Sequence, residues 1–97
     1  MENKQENKMK KIVNVTEVDG EGFVGLLGEQ VMLFCLNYIY TGKLAGVNST
    51  CVLLENPAIV YETGEFTSKT FKDAQKLPES LYVQLSAIES FGKTDKR

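Results

Sequence analysis

Apolar residues fall in short runs, the longest of them the six positions Val31 to Leu36, and no amphipathic helical period is sustained anywhere in the chain. The run Val31 to Leu36, "VMLFCL", is followed by "YIYTGKLAGVN" over 38–48 and "TCVLLENPAIVY" over 50–61. All three are rich in the β-branched and aromatic residues that favour strands. Short connections make them an antiparallel meander. "LYVQLS" and "AIESF", from Leu81 to Phe91, predict two more short strands, and "IVNVTEV" over 12–18 a strand or extended arm before the turn "DGEG". Phe23 to Glu29, "FVGLLGE", has room for one helical turn, weakened by Gly25 and Gly28. Residues 62–80 are polar, with isolated Phe66, Phe71 and Leu77, and predict a long loop holding a short helix around 68–76. The divisions are a flexible N-terminal arm at 1–11, one domain at 12–92 and a charged C-terminal tail at 93–97.

Breaks inside the strands say how the sheet is shaped. Tyr38, Tyr40, Gly42, Leu44 and Gly46 share one face of the second strand, so both glycines fall on the face that carries large apolar groups. A strand interior tolerates glycine where the backbone must bulge, bend or approach another chain closely. Pro57 cannot donate to a ladder and places a second kink near Asn56-Pro57. A small sheet bent at both points nearly closes into a barrel. The segment 81–88, "LYVQLSAI", has no charged residue, whereas a solvent-facing edge is normally guarded by Lys or Pro. Pairing of the fourth strand of one copy with the fifth of the next is a head-to-tail contact that closes into a ring. Leu81, Tyr82, Val83, Leu85 and Ile88 are the expected residues of that oligomer edge.

Composition adds limits. The 97 residues are 42% apolar and 25% charged, an ordinary globular balance for one small domain. The net charge of −2 is unevenly spread. Residues 1–11 carry four lysines and two glutamates, and 93–97 three bases and one aspartate, so 12–92 holds four lysines against ten acids. Most of that surface repels polyphosphate, and only a local site could hold RNA. Histidine is absent, which removes zinc sites of the usual kind and His-dependent triads. Cys35 and Cys51 read as small buried thiols and form no metal-binding pair. The basic, polar start leads into no long apolar run, and none of the apolar runs is long enough to span a membrane, so the expected location is cytoplasmic. The triplets at Asn14 and Asn48 are then chance matches to a glycosylation signal.

Two other patterns carry little. Gly20-Glu21-Gly22-Phe23-Val24-Gly25 spells a dinucleotide fingerprint, but the long helix and parallel strand that it needs do not follow. Glu55, Glu62 and Glu65 straddle a turn as solvated charge, and no enzymatic constellation or cofactor is expected. Tyr38, Tyr40 and Tyr61 could stack bases or sit half-buried at a core or subunit boundary.

The order "LLGEQVMLFCLN", "YTGKLAGVN", a third strand, a variable loop and "YVQLSAIESF" resembles the Sm-like family of Sm, Lsm and Hfq proteins over about residues 23–92. The likeness rests on Gly42-x-Leu44-x-Gly46, on polar Asn48 where the family has aspartate, and on Ala87-Ile88. The pattern is most similar to short Sm-like proteins of bacteria and phages. The resemblance implies a mostly β, SH3-type small barrel: a short N-terminal helical turn, then a strongly bent five-stranded antiparallel sheet. It implies assembly into a cyclic homo-oligomer of five to seven subunits, and single-stranded RNA as a partner at the inner rim. An isolated OB- or SH3-like barrel is the alternative architecture. The family's rim positions after the second strand fall on Asn48, Thr50 and Val52, and those before the last strand near Gln84, Leu85 and Ser86. Thr50 offers no flat surface for base stacking, and Gln84 and Ser86 offer hydrogen bonds without charge. Asn48, Thr50, Gln84 and Ser86 are thus candidate RNA-binding residues of a weakened or displaced site, or polar strand ends of a structural or protein-interaction ring. A turn residue satisfying its own backbone is the other reading of Asn48.

Overall fold

The computed structural model describes residues 21–97. The arm at 1–11 and the strand expected over 12–18 lie outside the described residues. Helix α1 (Gly22–Gly25) is a single turn that leads through Leu26–Gly28 into β1 (Gln30–Cys35). Strands β2 (Ile39–Val47) and β3 (Cys51–Glu62) follow, then β4 (Asp73–Lys76), β5 (Leu81–Gln84), a 3-10 turn at Leu85–Ala87 and β6 (Ile88–Lys93). All pairings are antiparallel, in the order β4-β3-β2-β1-β6, with β5 also on β3.

The six segments occupy five positions in the sheet. β5 lies along the first part of β3, with Leu54 opposite Leu81, and β4 along the last part, with Ala58 opposite Lys76. They are one fourth strand interrupted at Leu77–Ser80, level with the bend of β3 at Glu55–Pro57. Pro78 cannot donate to a ladder, and the Leu77 N–H closes the gap by donating to the Pro57 carbonyl at 2.9 Å. The short helix expected around 68–76 does not form. Long β3 leaves an open ladder beyond its kink, and pairing along it outweighs the weak local preference of "KDAQK" for a helix. The strand expected over 81–86 likewise ends at Gln84, where the 3-10 turn rounds the corner into β6.

Both bends fall where the glycines and the proline predict. Register shifts between Thr41 and Lys43, opposite Glu55–Ala58, where Asn56 adopts a left-handed φ of 50°. It shifts again between Leu44 and Gly46. A Cβ on Gly42 would lie 3.1 Å from the Glu55 carbonyl oxygen, 3.2 Å from Leu54 Cβ and 3.2 Å from Pro57 Cα. Gly46 is less confined, with Leu53 Cβ at 3.8 Å. Close backbone approach therefore explains Gly42, while Gly46 marks a bulge with room to spare.

The concave side holds the core: Val31, Leu33, Leu44, Val52, Leu54 and Val83, with Phe23, Leu26, Tyr40, Leu81, Leu85 and Ile88 packed around it. Each fully buried aliphatic side chain contributes about 1.5–3 kcal/mol. On the convex side Met32, Thr41 and Ala58 form a buried cross-strand row, and the Thr41 hydroxyl donates to the Val31 carbonyl at 2.8 Å. The C-terminal residues are docked here. Thr94 N–H donates to the Gln30 carbonyl, and Arg97 N–H to that of Lys69. Lys96 is only 1% exposed, and its ammonium donates to the carbonyls of Glu65 at 2.6 Å and Ser68 at 3.1 Å, with the rings of Phe66 and Phe71 beside it. Two carbonyls and two rings replace the water that this cation gives up, so the strap 94–97 clamps the loop 65–71 to the sheet.

Candidate nucleic-acid rim and assembly edges

The tight turn between β2 and β3 and the 3-10 turn before β6 meet at one end of the sheet. Gln84 pairs with Cys51, and the Leu85 N–H donates to the Thr50 carbonyl at 2.9 Å. Asn48, Thr50, Gln84 and Ser86 are all exposed there, so the structure brings the two sequence-predicted pairs together. Their chemistry is modest. The Asn48 carboxamide oxygen accepts from the Thr50 N–H at 2.8 Å, the Cys51 N–H at 2.9 Å and the Thr50 hydroxyl at 3.2 Å. Asn48 N–H in turn donates to the Cys51 carbonyl at 3.0 Å. Its acceptor oxygen is therefore engaged by its own loop, as in an Asx turn, and no cation or aromatic ring stands among these four residues.

A stability change tests that role. Asn48→Ala is expected to lower stability by about 1–2 kcal/mol through loss of this acceptor, whereas Asn48→Asp keeps it and loses little. Urea unfolding reads the difference. Equal midpoints for the two variants would contradict it.

The expected oligomer-edge residues occupy three environments. Tyr82 is 69% exposed on β5, while Val83 is buried and Leu81 half-buried against the core. Leu85 belongs to the 3-10 turn and packs on the core, so it is not part of a strand edge. Ile88 opens β6 opposite Cys35. Neither the outer side of β4 and β5 nor that of β6 has a partner strand among the described residues. The β4 half of its edge is guarded by Lys72, Asp73 and Lys76, whereas the β5 half, "LYVQ", has no charge. On β6 Phe91 is 40% exposed and stacks on Phe23, ring centroids 3.8 Å apart. Phe91 is not among the edge residues that the sequence predicts, although an aromatic residue in the middle of a short strand is a usable signal.

The remaining candidate groups are structural. Cys35 and Cys51 are free and half-buried rather than fully buried, and burial raises the pKa of the Cys35 thiol. Burial, then the neighbouring Cys35 and Tyr38, raises that of Tyr40. Tyr38 and Tyr40 meet edge to face with centroids 6.2 Å apart, while the Tyr61 hydroxyl donates to Gln75 on β4, so the three tyrosines form no common stacking platform. Among the described residues no cluster of three His, Cys, Asp or Glu could hold a metal ion, and no helix is long and apolar enough to cross a membrane.

The bent sheet, the single N-terminal helical turn and the corner between the last two strands define an Sm-like fold. Among solved structures, a heptameric archaeal Sm protein is similar to this chain with a TM-score of 0.59 and 14% identity, over 74% of this chain and 94% of that one. No protein-family profile and no curated protein sequence matches the chain.

Proposed function

We propose that this protein is a ring-forming Sm-like scaffold, built by pairing β5 of one copy with β6 of the next, whose inner rim has become a self-contained turn. The observation that carries the reading is the pair of edges left open among the described residues on either side of one three-residue corner, one of them without charge. A rigid rotation between neighbours repeats this head-to-tail contact until it closes. The fold of a heptameric archaeal Sm protein, shared here, supports such closure.

Single-stranded RNA at the rim is the second reading, favoured by the convergence of exposed Gln84 and Ser86 with the Asn48 turn. Its affinity is expected to be low, because stacking worth about 1–3 kcal/mol per base has no ring to act on. Photocrosslinking of short uridine and adenosine oligomers separates the two. The scaffold reading expects no crosslinks within 48–50 and 84–86. Salt-resistant binding that is abolished by Gln84→Ala with Ser86→Ala, both exposed positions, would establish the rim as an RNA site instead.

A further inference from the structure

Charge is segregated on this small domain. Residues 21–97 hold seven basic side chains, and five of them, Lys43, Lys72, Lys76, Lys93 and Arg97, line one groove on the convex side of the sheet. The other two, Lys69 and Lys96, lie in the loop and strap that form its wall. Of the nine acids in the same residues only Glu29, Asp73 and Asp95 reach the groove. Glu29 is turned to Lys93 at 3.5 Å, and Asp95 to Lys69, whose hydrogen bond holds its carboxyl below the usual range. Among the described residues the positive charge is thus concentrated around one concavity of about 840 Å³.

The groove is built and not incidental. Its floor is the cross-strand row of Thr41 and Ala58 with Gln30. Lys76 stands opposite Ala58 on β4, and Lys43 lies two positions beyond Thr41 on β2. The strap fixed by Lys96 brings Arg97 to the far wall. On the other side of Lys93–Asp95 a second groove is lined by Phe34 and by Phe66, which is 65% exposed. Cations on one side of a narrow strap and aromatic faces on the other fit phosphate oxygens followed by a flat ring.

We infer that the convex groove lined by Lys43, Lys72, Lys76 and Arg97 binds phosphate groups, carried either by a single-stranded nucleic acid or by a free nucleotide. The site is remote from the Asn48 and Gln84 rim and needs no neighbouring copy, so it stands or falls apart from the ring. Acidic peptides share the charge of such a ligand but lack its phosphates and its ring.

The test is fluorescence anisotropy of a labelled single-stranded oligonucleotide across a salt series, with wild-type protein and with Lys72→Ala/Lys76→Ala. Both lysines are exposed, so the double variant should keep its melting temperature. Its affinity is expected to fall at least tenfold, and its dependence on log salt to flatten by about 0.7 for each phosphate that is no longer neutralised. Competition by inorganic triphosphate and ATP as strong as by unlabelled strand identifies a free nucleotide as the source. Weak competition, together with a several-fold loss in Phe66→Ala, identifies the strand. Binding that survives the double variant, that is lost instead in Gln84→Ala/Ser86→Ala, or that polyglutamate displaces equally well would overturn the inference. So would absence of binding by wild-type protein at low salt and high micromolar concentration.

Discussion

Gly42→Val is expected to destabilise the protomer by about 2–3 kcal/mol, a fall of about 10–20 °C in melting temperature for a domain of this size. The first added atom already meets two backbone groups, the Glu55 carbonyl and Pro57 Cα, at 3.1 and 3.2 Å. Those atoms belong to the kink that carries β3 from its inner to its outer half, so they cannot yield without opening the bend. Valine adds two methyl groups beyond that point. Gly46→Ala is the matched control, because its nearest neighbour is Leu53 Cβ at 3.8 Å. It should be neutral or stabilising by about 0.5 kcal/mol through reduced freedom of the unfolded chain. Thermal melting of the two variants side by side checks the pair. Equal losses would mean that the bend does not depend on close approach at Gly42.

Tyr82→Asp is expected to have the largest effect on assembly while leaving the protomer intact. The side chain is 69% exposed within one copy, so its replacement removes little burial from the fold. In the proposed ring it lies on the uncharged edge, where a central tyrosine contributes about 2 kcal/mol or more and an inserted carboxylate adds a desolvation cost. Each subunit boundary then weakens by about 30-fold or more, and a closed ring repeats that loss all the way round. Light scattering at micromolar concentration should show the variant mostly as monomer with an unchanged circular dichroism spectrum. A wild-type mass for the variant would remove Tyr82 from the interface. Leu85→Lys is a poorer probe, since Leu85 packs on the core and its loss would unfold the corner along with any interface.

The inner half of the sheet was legible because its signals are local. The β-rich apolar run "VMLFCL", two glycines on one face of β2 and Asn56-Pro57 in β3 each constrain the backbone where they stand. Their products, three paired strands with two register shifts, are in the structure where the sequence places them. The outer half was not legible. β4 is "DAQK", exposed at every position, and exists because β3 offers it a ladder from Ala58 to Glu62, a cause distant in sequence. Lys96 is more instructive still. Nothing in "GKTDKR" distinguishes a lysine that will be buried, since its partners are backbone carbonyls 28 and 31 residues earlier and two phenylalanine rings of the polar loop. The cationic groove depends on that docking, so the distribution of charge along the chain does not show that Lys93 and Arg97 of the C-terminal end share one surface with Lys43, Lys72 and Lys76 of the acidic middle. At the rim the sequence does say that Thr50 has no stacking surface. The full engagement of the Asn48 oxygen by three donors needed the geometry of the turn.

In the proposed ring the two strand edges left open among the described residues of one protomer are covered by other copies of the same chain. Native mass spectrometry of the purified protein tests it most directly. A single dominant species of several chains, at a whole multiple of the 10.8 kDa chain mass and unchanged on dilution, is the predicted result. A 10.8 kDa monomer that persists at high micromolar concentration would contradict it.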